Sequence, residues 1–549
     1  MHARIIAGNR TKVKYLIWGA AVRYRSLGTW LWSAPTSVWL VVVLLLALAA
    51  RLPALGQHGL WIDEGNTYIR SILSLDLVLE NLLMVRNQVP LYYLLMRLWT
   101  ALLGTSEFAL RLPSTWCAVV NVALIYRLGS ISGRRRVGVW AALAMALNPF
   151  LVRLAREARM YTMAISLSTG AMWCFLLAVR KGGWWRWAAL TVVSGMSYLT
   201  HYVTLVVGLV QFLVLLVTFR TTYLSLRKWI IAQAVAALPA AGWLALSMFS
   251  YGYTGIVGTW IPMPSLLTPP KSLWNFSLGY DGQFTPWTVL GLLPFAVGLA
   301  GGIWSVSERL WRWSMIVWFA LPPLMGFVLS FVLRPCYLDR YLSICVPAYL
   351  LWVVAGLTAL SKATVRNVLG MLLLGAMAVS TLGILQGRRL PGADWRGAVE
   401  QVLEGVENGD RLFVDAKGFY VTFYYADHAL PIERLDMASV GPVLEEALCQ
   451  EGRVWLLYRD PAETCHVFDR VRTFDPYTAE RSEIGRWLAD HAGQVRHESF
   501  LNGVYLALLE SSGCGCDILR ESRRYPGTSN VEGSGLENGS VLEPCSCGG

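Results

Sequence analysis

The sequence predicts a polytopic α-helical membrane protein that carries a small α/β domain at its C-terminal end. Three observations predict it. Of 549 residues, 55% are hydrophobic and only 15% charged, against roughly 25% charged in soluble chains. The net charge of +12 is unevenly placed, because residues 1–387 hold 31 Lys and Arg against 9 Asp and Glu, whereas residues 388–549 hold 16 against 26. Long stretches free of Asp, Glu, Lys and Arg recur up to residue 387 and then stop. These figures exclude a secreted disulfide scaffold, a disordered chain, a coiled coil and a single soluble enzyme. The positive charge lies in short segments between apolar runs, which is a signature of membrane orientation, so no nucleic-acid partner is expected. The regions are a basic cytoplasmic N-terminus over 1–35, a membrane domain over 36–387, an α/β domain over 388–510 and a tail over 511–549.

Crossing the roughly 30 Å hydrocarbon layer takes about 20 apolar residues in a helix. Residues 26–50, 137–152, 160–179, 187–219, 229–270, 282–307, 313–333, 341–361 and 367–387 are the charge-free runs. The run 187–219 is long enough for two helices hinged around Leu199-Thr200-His201-Tyr202, and 229–270 holds one helix to about Ser250 before a loop rich in Gly, Tyr and Pro. Pro90–Leu103 contains Arg97 and rises only about 21 Å, so it reads as a helix lying at the interface. Phe108–Leu128 is then a full crossing, with Arg111 and Arg127 near its ends where long side chains reach headgroups. Eleven crossings result.

Charge supports this count. With the N-terminus inside, each cytoplasmic segment is basic, from Arg4–Arg25 through Arg134-Arg135-Arg136 to Lys362 and Arg366. A twelfth crossing at Pro90–Leu103 would place the three consecutive arginines outside. The first helix runs into Arg51-Leu52-Pro53 without a small-residue cleavage site, so it is expected to stay as an anchor. Two similar halves are not visible, which weakens a transporter built from inverted repeats.

The same orientation puts eight of the nine carboxylates of the membrane part outside: Asp63, Glu64, Asp76, Glu80, Glu107, Glu157, Asp281 and Asp339. Asp76, Glu80 and Glu107 read as solvated loop residues. Asp63-Glu64, flanked by Trp61 and Tyr68, has two readings. It is a partly desolvated pair in which burial tunes a general base upward, or an acidic helix start stabilised by the dipole. A second cluster, Arg153, Arg156, Glu157, Arg159 and Tyr161, sets three arginines on the outer side against the general trend. Arginine forks fit phosphate oxygens. Arg334-Pro-Cys-Tyr-Leu-Asp339-Arg340-Tyr341 breaks the trend in the same way, and it reads equally as an anchor for lipid headgroups. His201-Tyr202, at the outer end of the fifth crossing, has both a cavity-facing and a structural reading.

In order along the chain stand Leu60-Trp61-Ile62-Asp63-Glu64, Pro90-Leu91-Tyr92-Tyr93-Leu94-Leu95, Ser106-Glu107-Phe108-Ala109-Leu110-Arg111-Leu112-Pro113, Arg156-Glu157-Ala158-Arg159-Met160-Tyr161, Thr200-His201-Tyr202 and Asp339-Arg340-Tyr341-Leu342. This series resembles the motifs of the GT-C glycosyltransferases, in the branch of the protein mannosyltransferases and aminoarabinose lipid A transferases, over roughly residues 36–387. The resemblance implies a polyprenyl-phosphate sugar as donor and an acceptor hydroxyl or amine at the outer face. It assigns Asp63, with Glu64 beside it, to the acceptor, and Arg156, Arg159 and Arg340 to the donor phosphate. Glu157, Tyr161, His201, Tyr202 and Tyr341 are further substrate-binding candidates. Some GT-C branches hold a divalent metal through an Asp-x-Asp signature, which this sequence lacks, so no metal ligand is assigned. A flippase or transporter that binds the same lipid-linked sugar without reacting it is the alternative. Neither a Walker-type phosphate loop nor a His-Glu-x-x-His zinc motif is present.

Beyond residue 388, Trp395–Val406 reads as a helix, Arg411–Val414 as a strand, Val443–Gln450 as a helix, Val454–Tyr458 as a strand and Val504–Leu509 as a final strand. Asp415-Ala-Lys417-Gly418 is a poor nucleotide-binding turn, so the domain reads as an acceptor-binding or stabilising module outside the membrane. The tail, rich in Gly, Ser and Glu, is expected to be disordered. Its Cys514-Gly-Cys516 and Cys545-Ser-Cys547 pairs lack Cys-x-x-Cys spacing and suggest disulfides or free thiols. Only 7 of 47 basic residues are Lys, which points to a GC-rich prokaryote and its plasma membrane.

Overall fold

A computed structural model describes residues 36–85, 88–251, 261–280, 285–305, 308–386, 393–426, 429–435, 440–459, 483–501 and 503–511. The N-terminal basic segment and the cysteine-bearing tail lie outside the described residues.

The membrane part begins with α1 (Thr36–Ala49). A turn over residues 50–59 leads to three short helices, α2 (Ile62–Ile72), α3 (Leu75–Val85) and α4 (Pro90–Leu103). Pro90 opens α4, where its missing N–H costs no hydrogen bond, and Gly104 ends it with φ at 79°. α5 (Glu107–Ile131) starts on Ser106, whose hydroxyl accepts from the Ala109 N–H. α6 (Arg135–Leu147) and α7 (Pro149–Leu154) are split by Asn148, whose side chain accepts from the Leu151 N–H and starts α7. α8 (Tyr161–Lys181) follows the loop 155–160. α9 (Trp184–Tyr198) and α10 (Leu205–Val217) are joined by Leu199–His201 and a 3-10 turn at Tyr202–Thr204, which is the expected hinge. The bundle is completed by α11 (Phe219–Tyr251), α12 (Thr268–Leu278), α13 (Pro286–Ser305), α14 (Arg309–Val332), α15 (Asp339–Leu342), α16 (Val346–Ala359) and α17 (Ala363–Leu385).

Among the described residues, six helical spans are long and apolar enough to cross a membrane: Glu107–Ile131, Tyr161–Lys181, Thr222–Ser250, Arg309–Val332, Asp339–Ala359 and Ala363–Leu385. The expected count of eleven is corrected accordingly. Charge-free runs record composition and not helical continuity. The run 137–152 breaks at Asn148-Pro149, the run 187–219 breaks at the hinge, and their helices have 13, 15 and 13 residues. Val38–Ala49, Tyr202–Val217 and Pro286–Gly302 are apolar but shorter.

The span Asp339–Ala359 is 89% buried and Arg309–Val332 only 22%, so α15 and α16 run through the middle of the bundle and α14 lies at its rim. α13 crosses α16 glycine to glycine: a Cβ on Gly356 would lie 2.0 Å from the Gly298 carbonyl oxygen. Small residues permit this approach where lipid gives no hydrophobic drive.

The C-terminal domain contains α18 (Trp395–Gly405), β1 (Arg411–Asp415), α19 (Phe419–Ala426), β2 (Ile432–Leu435), α20 (Val440–Glu451), β3 (Arg453–Tyr458), α21 (Glu483–Asp490), β4 (Val495–Leu501) and β5 (Val504–Glu510). The sheet order is β2-β1-β3-β5-β4. β2, β1 and β3 are parallel, with Leu412 opposite both Ile432 and Trp455, while β5 and β4 run antiparallel. β1, β3 and β5 are buried almost throughout, which explains their unbroken apolar runs. The Asp415 carboxylate accepts from the Gly418 N–H within the turn after β1 and from the Arg459 N–H just beyond β3, so it closes that turn and ties it to the neighbouring strand end.

Candidate active site

Four segments converge at one end of the bundle: the start of α2, the loop 155–160, the hinge after α9 and α15. Asp63 and Glu64 are neighbours in sequence, but a helix turns by about 100° per residue, so the two carboxylates diverge. Asp63 keeps 27% of its side chain exposed and Glu64 only 1%.

Glu64 is fully committed. Its Oε1 accepts from Arg111 Nε at 2.8 Å and the Ala158 N–H at 2.7 Å, and its Oε2 accepts from Arg111 Nη2 at 2.7 Å and the Trp61 N–H at 3.3 Å. Arg111 is equally saturated. Beyond its two bonds to Glu64 it donates to the carbonyls of Leu55, His58 and Gly59, which uses all five guanidinium N–H groups. Every lone pair of this carboxylate is thus occupied, which leaves no oxygen site open to a proton from substrate and sets Glu64 apart from Asp63. Sequence reading also missed Arg111 as its partner, having taken it for a headgroup-reaching residue at a helix end.

Asp63 faces the other way. Its Oδ2 lies 3.2 Å from Arg340 Nη1 and 4.0 Å from Arg159 Nη2. Burial alone would raise its pKa, but Arg159, Arg340 and Arg70 outweigh that and hold the carboxyl below its ordinary range. This reverses the upward tuning expected from the flanking aromatics: the arginines at the site dominate over desolvation.

Arg159 donates to the Asp63 carbonyl at 3.1 Å and to Tyr93 and Thr67 hydroxyls at 3.4 and 3.5 Å, while its buried Nε has no partner. These bonds are long, and a donor remains in hand. The Arg340 guanidinium lies over the rings of Trp61 and Tyr161, at 5.5 and 5.8 Å. Arg156 differs. It donates to the carbonyls of Arg51 and Pro53 at 2.8 and 2.6 Å and of Ala54 at 3.1 Å, and Ala54 stands at φ 55°. Arg156 therefore holds the turn after α1, and these backbone carbonyls occupy the fork that the resemblance assigns to donor phosphate.

Tyr161, His201 and Tyr341 form one aromatic cluster, with His201 5.1 Å from Tyr341 and 6.1 Å from Tyr161 between centroids. His201 Nδ1 accepts from the Val203 N–H, which leaves the proton on Nε2. Burial first, then Arg159 and Arg340, lower the His201 pKa to about 4, so the ring is neutral at physiological pH. Glu157 pairs with Arg153 at 3.6 Å, and burial pushes its carboxyl up. The Tyr202 hydroxyl is buried without a partner, and no described contact brings it to this cluster. Asp339, beside Arg340, accepts from Ser272 at 2.5 Å and Asn275 at 2.6 Å, which ties α12 to α15. Among the described residues no group of three His, Cys, Asp or Glu is arranged to hold a metal ion.

The family model for dolichyl-phosphate-mannose-protein mannosyltransferase matches residues 87–246. No curated protein matches the chain by sequence. Among solved structures, apo ArnT from Cupriavidus metallidurans superposes with a TM-score of 0.58 at 12% identity, covering 88% of this chain and 98% of that one. The same protein bound to undecaprenyl phosphate gives 0.55 at 13% identity, covering 87% and 99%. The chain is thus a multi-pass membrane protein that shares the fold of ArnT, and its residues 87–246 match the model of the dolichyl-phosphate-mannose-protein mannosyltransferase family.

Proposed function

We propose that this chain is an inverting membrane glycosyltransferase that moves a sugar from a polyprenyl-phosphate donor to an acceptor at the outer face of the plasma membrane. The observation that carries it is Asp63, a partly exposed carboxylate between Arg340 and Arg159, with the Arg159 Nε unused. An acceptor nucleophile placed at Asp63 attacks the anomeric carbon. The bond from that carbon to the phosphate oxygen breaks, its electron pair leaves with the polyprenyl phosphate, and Arg340 and Arg159 stabilise the charge that develops there. The acceptor proton passes to Asp63. With its pKa held low, Asp63 is a weak base until attack acidifies the acceptor oxygen, so proton transfer comes late. A single displacement inverts the anomeric centre.

Two features support the outer orientation. The Arg180 guanidinium reaches the Ile131 carbonyl and Glu308, so the ends of α5 and α8 and the start of α14, with Arg134, Arg135, Arg136, Lys181, Arg309 and Arg312 beside them, lie together away from the site, as the positively charged inner side would; and Cys449 of the C-terminal domain is disulfide-bonded, as suits an oxidising compartment. The donor class rests on the fold shared with ArnT and on the family match.

The test is a panel of polyprenyl-phosphate sugars offered to the purified protein in vesicles, with mass spectrometry of whatever gains a sugar. Wild-type protein transfers one of them. Asp63→Asn loses transfer and still binds donor; turnover retained in that variant sinks the base assignment. Donor that only changes leaflet, with no acceptor gaining sugar, makes the chain a flippase instead.

A further inference from the structure

We infer that the C-terminal domain sets the position of Asp63, with Tyr425 as the positioning residue that fixes the start of α2 from outside the membrane domain. The inference rests on the reading of Asp63 as the acceptor base.

α2 has only 11 residues, too few to be stable as an isolated helix, so its direction is set by what holds it. One hold is Glu64, bound to Arg111 and to the Ala158 N–H. The other is α19. A Cβ on Gly65 would lie 2.8 Å from the Val421 backbone nitrogen, so the two helices touch backbone to backbone. The Tyr424 ring packs edge-on to Tyr68 at 4.7 Å, and its hydroxyl donates to the Thr105 carbonyl at 3.1 Å. Tyr425 reaches further. Its hydroxyl accepts from the Leu60 N–H at 2.5 Å, three residues before Asp63, and lies 3.3 Å from Glu107 Oε1, to which it donates. Arg396 pairs with the same Glu107, donates to the Gln57 carbonyl at 3.0 Å and lies over the Tyr425 ring. Leu60 itself is 1% exposed, so no water replaces the Tyr425 oxygen on its N–H.

With Glu64 and Leu60 both held, α2 cannot turn about its axis. With Leu60 released, it turns about the Glu64 anchor and carries Asp63 off its partners. Those partners are Arg70 on α2 itself, Arg159 and Glu157 from the loop before α8, Tyr161 at the start of α8, and Arg340 and Tyr341 from α15. A displacement near 1 Å at a reacting group costs up to about 100-fold in rate.

Hydrogen exchange of the full-length protein in detergent reads the hold without any donor. In Tyr425→Phe the segment 57–65 exchanges at least about tenfold faster while α5 and α8 exchange as in wild type; unchanged exchange in 57–65 overturns the inference. Gly65→Ala, which presses α19 off α2, gives the same pattern if the first variant is poorly made. With the donor that wild type uses, Tyr425→Phe loses roughly tenfold in kcat with donor KM within about twofold, and the acid limb of turnover moves to higher pH as Asp63 leaves its arginines. A variant that melts earlier but keeps wild-type kcat and pH profile shows a merely structural contact and refutes positioning. Asp63→Asn separates the two levels: if it still turns over, the base reading fails whatever Tyr425 does.

Discussion

Glu64 and Arg111 give the sharpest energetic prediction. Glu64→Gln leaves a charged guanidinium buried at 5% exposure and turns one carboxylate oxygen into an amide that faces a donor. Breaking a buried pair from one side costs about 3–5 kcal/mol. Arg111→Met also forfeits three carbonyl contacts, each worth about 1 kcal/mol net, but these fall in the same network and do not simply add. The double variant Glu64→Gln with Arg111→Met has no unpaired charge left, so it should be no less stable than Arg111→Met alone, a coupling of about 3 kcal/mol. Denaturant titration in mixed micelles, followed through the 25 tryptophans, measures all four proteins. A Glu64→Gln protein within about 1 kcal/mol of wild type refutes the reasoning, and so does a double variant that equals the sum of the singles. Turnover lost in Glu64→Gln at unchanged stability would return Glu64 to the chemistry.

Arg340→Gln should lower kcat by about 100- to 1000-fold, as expected for a lost donor to developing charge, whereas Arg340→Lys keeps the charge, loses the fork and falls roughly tenfold; wild-type turnover in the Gln protein would remove Arg340 from the leaving phosphate. His201 makes stability depend on pH with a defined sign. Its folded pKa of about 4 lies below the ordinary histidine value of 6.5, so the unfolded chain binds the proton first; its contribution is intact above pH 6.5 and is lost as pH falls toward 4. His201→Gln should flatten the melting temperature of the protein between pH 6.5 and 4 relative to wild type, and identical slopes would contradict the assignment.

Part of this site was legible and part was not, for physical reasons. Pro90 and Gly104 marked the ends of α4 because both are local backbone constraints. Arg159 and Arg340 stood out because they violate a trend set by the whole chain. Arg156, three residues from Arg159, carried the same signal and a different role, since its partners are the carbonyls of a turn about 100 residues away. Glu64 was separable from Asp63 once α2 is treated as helical, because neighbours on a helix cannot serve one point. The hold by Tyr425 spans 365 residues and left no local trace. Helix breaks such as Asn148-Pro149 were readable signals that the count of charge-free runs passed over.

The short helices matter for the lipid as well as for the protein. α6, α9 and α10 have 13, 15 and 13 residues and rise about 20 Å, a third less than the hydrocarbon layer. They are the helices that lead into the loop of Arg159 and the hinge of His201. α6 is buried against its neighbours, but α9 and α10 turn Val192, Leu205 and Leu209 outward, and lipid that meets those faces is drawn to thin there at a fraction of a kcal/mol per Å of mismatch. On the donor proposed above, a hollow of this kind in the leaflet would bring headgroups and water down to the arginines, and the lipid phosphate would meet Arg340 by sinking rather than by being lifted out of the bilayer.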